Sequence, residues 1–150
     1  MTHVQKRPSS VLVVLHTPDL QILLLERLSP SGFWQSVTGS LETGETCLQA
    51  ATRELEEETG LPCPDQNAFR DWGLSNRFLI PTSALPRYPA GCRYNNERVL
   101  SYRCQAPFPP RISPTEHRQG LWLPWDKAVL LSNSWTNRDA IRLVAASDPL

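Results

Sequence analysis

The 150-residue sequence has no apolar run long enough to cross a membrane. Its longest, Val11–Leu15, has five residues, against roughly 20 for a membrane-spanning helix. It has no excess of either charge: fifteen Lys and Arg balance fifteen Asp and Glu, which argues against binding duplex nucleic acid by bulk charge. Cysteines are few, and Cys47, Cys63, Cys92 and Cys104 show no C-x-x-C spacing. A zinc site built on cysteine pairs is therefore not expected, and four reduced thiols in a cytoplasmic protein are. No apolar h-region follows Lys6 and Arg7, so no secretory signal is expected. No repeat or low-complexity tract breaks the chain, and its length suits a single domain over residues 1–150.

What is present is unevenly placed. Thirteen of the fifteen basic residues are Arg, whose planar fork suits phosphate recognition, although base-composition bias explains the count equally well. Six of the fifteen acids (Glu42, Glu45, Glu54, Glu56, Glu57 and Glu58) fall within seventeen residues.

Apolar, β-branched runs predict strands over 10–16 and 21–27, joined by a Thr17-Pro18-Asp19 turn as a hairpin. A short strand is expected over 33–38, a tight loop over 39–45, and later strands over 69–80, 98–105 and 121–125. The three prolines and one glycine of 81–96 predict a long loop. The clearest helix is 47–59: Thr46 with Gln49 fits a capping box, Gly60 a C-terminal cap, and Pro62 a stop. Helices are also expected over 126–131 and 135–146, with Ser134 as a cap. Strands on both sides of a central helix indicate an α/β domain.

At about 100° per residue, Glu54, Glu57 and Glu58 share one face of the central helix. Leu48, Ala51 and Leu55 form the adjacent apolar stripe, and Glu56 points to solvent. Three carboxylates so spaced repel one another and raise each other's pKa unless a cation neutralises them. Two readings stay open on charge alone: a solvated acidic face, or a site for a hard cation such as Mg²⁺.

From Gly39 the chain reads GSLETGETCLQAATRELEEETGL. This resembles the signature of the Nudix hydrolase family at every specified position: Gly39, five residues, Glu45, seven residues, then Arg53-Glu54-Leu55-x-Glu57-Glu58-x-Gly60-Leu61. A chance match in a chain this long is on the order of one in ten million. The resemblance implies an α/β/α sandwich around a mixed sheet. It implies an enzyme that breaks a P–O–P bridge with water and Mg²⁺, or Mn²⁺. Glu54, Glu57 and Glu58 would hold metal, Arg53 would orient the carboxylates, the Gly39 carbonyl would add a ligand, and Glu45 would reach metal through water. Such ions shield the phosphates and lower the pKa of bound water, while positioning and electrostatics supply the rest of the catalysis.

Within the family the chain resembles the bacterial branch that cleaves dihydroneopterin triphosphate in folate biosynthesis. The carrying segments are Lys6-Arg7-Pro8, Phe33 to Ser40, Arg87-Tyr88 with Gly91, Thr115-Glu116-His117, Trp122-Leu123, and Ser134 to Arg138 with Ala140-Ile141. This implies that Lys6 and Arg27 contact the triphosphate, that Thr38 and Ser134 hydrogen-bond substrate, that Phe78, Leu79, Ile80 and Pro81 line its pocket, and that Glu116 binds metal from outside the signature. The general base stays open between Glu54, Glu58 and Glu116. Without the resemblance, Lys6 is a surface cation, Ser134 a helix cap and Glu116 a loop acid. Trp34 and Trp135 either stack on the pterin ring or pack in the core, and His117 receives no role. The partner expected is a small-molecule triphosphate, with no nucleic acid and no membrane; the sequence leaves the oligomeric state open.

Rival readings are a pyrophosphohydrolase of dATP or an oxidised purine nucleotide, and a non-catalytic binding module. The Tyr of dinucleoside polyphosphate hydrolases and the Pro of ADP-sugar enzymes are absent at Asn76–Leu79. The complete set of signature glutamates disfavours the binding module.

Overall fold

The computed structural model describes residues 5–147. Its elements are β1 (Ser9–His16), β2 (Gln21–Arg27), β3 (Trp34–Gln35), β4 (Val37–Ser40), α1 (Cys47–Thr59), β5 (Phe69–Leu79), β6 (Tyr94–Arg103), β7 (His117–Pro124), α2 (Trp125–Leu131) and α3 (Trp135–Ser147), with 3₁₀ turns at Gln66–Ala68 and Thr82–Arg87. The strands form one sheet in the order β3-β2-β1-β6-β5, with β4 also paired to β1 and β7 to β2. The β1–β6 pair is parallel and the rest are antiparallel, so the sheet is mixed.

β1 and β2 leave the Thr17–Leu20 turn together but pair only at His16↔Ile22. Beyond that point they part, and one segment fills the gap: β3 pairs with β2 and β4 with β1. This sets Thr38 and Gly39 opposite Leu12 and Val11, in the middle of the molecule.

Strand alternation divides the core into two layers. Val11, Val13 and Leu15 pack with Ala51 and Leu55 of α1. Leu12 and Val14 pack with Val129 of α2 and with Ile141 and Val144 of α3. Val11–Leu15 are wholly buried, as a strand covered on both faces must be. The expected α/β/α sandwich is therefore present.

α1 has its full capping box: the Thr46 hydroxyl accepts from Gln49 N, the Gln49 side chain accepts from Thr46 N, and Gly60 closes the helix at φ 74°. Five expectations need correction. Gly39 and Ser40 belong to a strand, not a loop, because β1 hydrogen-bonds them. β6 starts at Tyr94 and ends at Arg103, because polar Asn96 and Glu97 are held by ladders to both β1 and β5, and Asn95 by the ladder to β5. β7 starts at His117, and the segment 81–96 contains a 3₁₀ turn. Leu48 is exposed; Ala50 joins Ala51 and Leu55 in the buried stripe instead.

Candidate active site

α1 presents two of its three facing carboxylates to the interior. Glu58 is 2% and Glu54 9% exposed, while Glu57 lies at the surface. The partner of Glu54 is Arg53, whose guanidinium donates to Glu54 Oε1 (2.7 Å), to both Glu45 oxygens (2.8 Å each) and to the Ser40 carbonyl (3.0 Å). One Arg thus ties the loop before the helix, the end of β4 and the acidic face together, a task that suits its rigid fork. These bonds push the Glu45 carboxyl down to about 2 and raise the Arg53 pKa. Glu45 is committed to Arg53 and to the Glu42 amide (2.9 Å).

Gly39 lies against this pair, and a Cβ there would land on the Glu54 side chain. The absence of a side chain is what lets β4 approach the helix so closely.

Glu58 is held differently. Burial, its contact with Glu54 and the charge of Glu116 raise its pKa well above the usual carboxylate range, opposed by the Thr38 amide that donates to it. Its Oε1 is buried without a hydrogen-bond partner. Burial and Glu54 likewise push Glu57 up, with Glu116 adding to the effect. Among the described residues, no three His, Cys, Asp or Glu side chains converge in a ready-made metal cage. The four glutamates nonetheless act on one another, and the partnerless Glu58 oxygen is the donor that a divalent cation fits.

Cations gather near these acids. Lys6 donates its backbone N–H to the Arg87 carbonyl (2.8 Å). Its ammonium pKa is lowered by partial burial and by Arg87 and Arg27, and raised by Glu54 and Glu116. Lys6 therefore lies within the fields of Arg27, of the carboxylates and of Arg87, a residue without an assigned role in the sequence reading. His117 is the second omission. It lies 4% exposed with Nε2 3.7 Å from Glu58 Oε1, paired across the sheet with Arg27.

The other expected residues separate by strand alternation. Phe78 shares the α3-side face with Asn95. Leu79 points the opposite way and is 65% exposed, Ile80 is buried, and Pro81 caps the 3₁₀ turn. Thr38 lies on the α3-side face opposite Leu12. The Ser134 hydroxyl caps α3, accepting from Asn137 N (3.2 Å) and Nδ2 (2.6 Å). Trp34 packs in the core, whereas Trp135 is 46% exposed.

A family model described as the NUDIX domain matches residues 6–144. The chain is 41% identical over 141 residues to a dihydroneopterin triphosphate diphosphatase of Escherichia coli (strain K12), covering 92% of each chain. It is 34% identical over 139 residues to one of Haemophilus influenzae, covering 91% of this chain and 87% of that one. The solved structure of the E. coli dihydroneopterin triphosphate pyrophosphohydrolase superposes with a TM-score of 0.85 at 36% identity, over 93% of this chain and 96% of that one. A Nudix hydrolase from Listeria monocytogenes, at 23% identity and a TM-score of 0.72, shares the fold over 91% and 90%.

Proposed function

This chain belongs to the Nudix family, and from that premise we propose that it hydrolyses dihydroneopterin triphosphate to dihydroneopterin monophosphate and pyrophosphate, with Mg²⁺ as the working ion and Mn²⁺ as its substitute. One observation carries the reading: likeness to relatives of that name runs through 92% of the chain. The charges of Arg27, Arg87, Glu54 and Glu116 that act on Lys6 support it.

In this reading Glu54, Glu57, Glu58 and Glu116 hold the metal, with the carbonyl of Gly39, a residue packed against the Glu54 side chain, as a further ligand. The bound ion would neutralise the phosphates and acidify water. The rest falls to the chain's own residues. Arg53 fixes Glu54 in one orientation. Lys6, Arg27 and Arg87 offset the charge of the triphosphate and fix its direction. Glu54, Glu58 and Glu116 are the carboxylates placed to accept the proton of the attacking water. Thr38 reaches both halves of the site, its amide on Glu58 and its side chain on the α3 face. The free thiols among the described residues support a reducing, cytoplasmic setting.

The test is pyrophosphate release from dihydroneopterin triphosphate, dATP and 8-oxo-dGTP with Mg²⁺, compared by kcat/KM. Preference for the pterin is the expected result. Preference for a purine nucleotide keeps the chemistry and overturns the substrate. Silence on all three overturns the enzyme.

A further inference from the structure

Among the described residues, four of the six buried polar side-chain atoms that lack a hydrogen-bond partner lie outside the acidic site: Ser36 Oγ, Asn76 Nδ2, Asn95 Oδ1 and Glu97 Oε1. They are not scattered. Asn76 is directly opposite Glu97 across β5 and β6, and Ser10 opposite Glu97 across β1 and β6. Asn95 Nδ2 donates to Ser10 Oγ at 2.7 Å. Ser36 N donates to Asn137 Oδ1 at 2.7 Å, and Thr136 lies beside Glu97. The cluster lies between the sheet and the start of α3. Glu97 is 5%, Asn95 4% and Ser36 0% exposed, while Asn76, Phe78, Thr38 and Ser134 are half-buried around them.

Such a floor is expensive to keep. Each buried, unpaired polar group lowers stability, more so when charged, and among the described residues no ion pair relieves Glu97. Its place indicates what relieves it. β1 and β6 begin, and β4 and β5 end, at one end of the sheet. Lys6 lies three residues before β1 at that same end, bonded to Arg87. The floor and the cations proposed to hold the triphosphate therefore share one end of the sheet, so the ring of a substrate held by those cations would lie nearest this floor.

The unsatisfied atoms also have a pattern. Glu97 Oε1 and Asn95 Oδ1 are acceptors, and Asn76 Nδ2 is a donor. The pyrimidinone edge of a pterin offers the complement: two donors, the 2-amino group and N3–H, and one acceptor, O4. Adenine offers one amino donor beside a ring-nitrogen acceptor and leaves a floor acceptor unmatched.

We infer that Glu97 and Asn95, with Asn76, form the site that reads the 2-amino-4-oxo edge of the substrate ring and rejects an adenine-like ring. This inference rests on the proposed pterin substrate and names the residues that select it. Polar sites of this kind discriminate strongly, because the wrong ring leaves them buried and unpaired.

The test is the ratio of kcat/KM for dihydroneopterin triphosphate to that for dATP, in wild type and in Glu97→Leu. Structural damage lowers both values alike and leaves the ratio in place. Loss of ring reading raises the pterin KM and cuts the ratio by at least about tenfold. Should Glu97→Leu fail to fold, Glu97→Gln, which keeps the shape and one acceptor, carries the test with a fall of at least about threefold. A wild-type preference that survives the substitution overturns this inference alone. A wild type that cleaves the pterin no better than dATP overturns the substrate reading, and this inference with it.

Discussion

His117 Nε2 stands 3.7 Å from Glu58 Oε1, with both side chains sealed from solvent. Burial and the nearby Arg27 lower the imidazole pKa, and burial and Glu54 raise that of the carboxyl. Each partner is thus driven toward its neutral form, and no hydrogen bond forms at Glu58 Oε1. The folded chain carries this unsatisfied carboxyl at a cost in stability that only a cation, or a proton, removes.

Glu58→Gln should therefore keep the fold, melt no lower than wild type without metal, and lose turnover at least about a hundredfold. Adding Mg²⁺ should raise the melting temperature of wild type and leave that of the variant nearly unchanged. A variant with near-normal turnover would sink the assignment of Glu58 to the metal.

Arg53→Lys should be far from conservative. A lysine cannot reproduce the fork that joins Glu45, Glu54 and the Ser40 carbonyl. Activity should fall by about tenfold or more, with about 1–3 kcal/mol of stability lost through partners left unpaired. The loss should depend on pH. Glu45 titrates near 2 in the folded chain against 4.5 ordinarily, so its contribution is complete above pH 4.5 and disappears as pH falls toward 2. Melting temperatures from pH 7 to 2 should show the wild type converging on Arg53→Lys at the acid end.

The acidic helix is legible in the sequence because its information is local. Capping by Thr46 and Gly60 and the spacing of Glu54, Glu57 and Glu58 depend on neighbours within one or two turns. The sandwich follows from Val11–Leu15, an apolar run that only a doubly covered strand accommodates. The gap occupied by β4 was not legible, since it depends on β1 and β2 parting beyond His16 and Ile22. Glu97 was hidden for a related reason. Its burial is imposed by Ser10 and Asn76 on neighbouring strands and by Thr136 on a helix far along the chain, while Tyr94 to Glu97 by themselves read as polar loop. The alternation of Asn95 and Glu97 was the one available signal. Arg87 and His117 likewise acquire meaning only from Lys6 and Glu58 across the fold.

Glu97 predicts a conflict between stability and selectivity. Burial pushes its pKa up to about 7, partly offset by Thr136. The residues facing it from β1, β5 and α3 are Ser10, Asn76 and Thr136, all uncharged. An acid whose pKa rises on folding costs nothing below its unfolded value. The cost appears as pH rises from 4.5 and is complete above about 7, where it reaches about 3 kcal/mol. Glu97→Gln should match wild type in melting temperature at pH 4.5 and exceed it at pH 8, while losing preference for the pterin. A difference that is constant across this range would show that ionisation of Glu97 is not the cause.

Gly39→Ala tests how closely β4 must approach α1. The added methyl would overlap Glu54 Cγ, Cδ and Oε1, and Glu54 cannot simply swing aside because Arg53 holds it at 2.7 Å. Overpacking of this kind costs about 1–3 kcal/mol, which a chain of this size survives. The carboxylate, however, must leave its place. Turnover should therefore fall much further than stability, and Mg²⁺ should no longer raise the melting temperature. The double variant Gly39→Ala/Glu54→Ala separates the two effects, because truncating Glu54 makes room for the methyl. Its loss of stability should be smaller than the sum of the single losses, and its activity should stay as low as that of Glu54→Ala. If the single losses simply add, the methyl is accommodated elsewhere and the close contact between Gly39 and Glu54 is not what keeps this position a glycine.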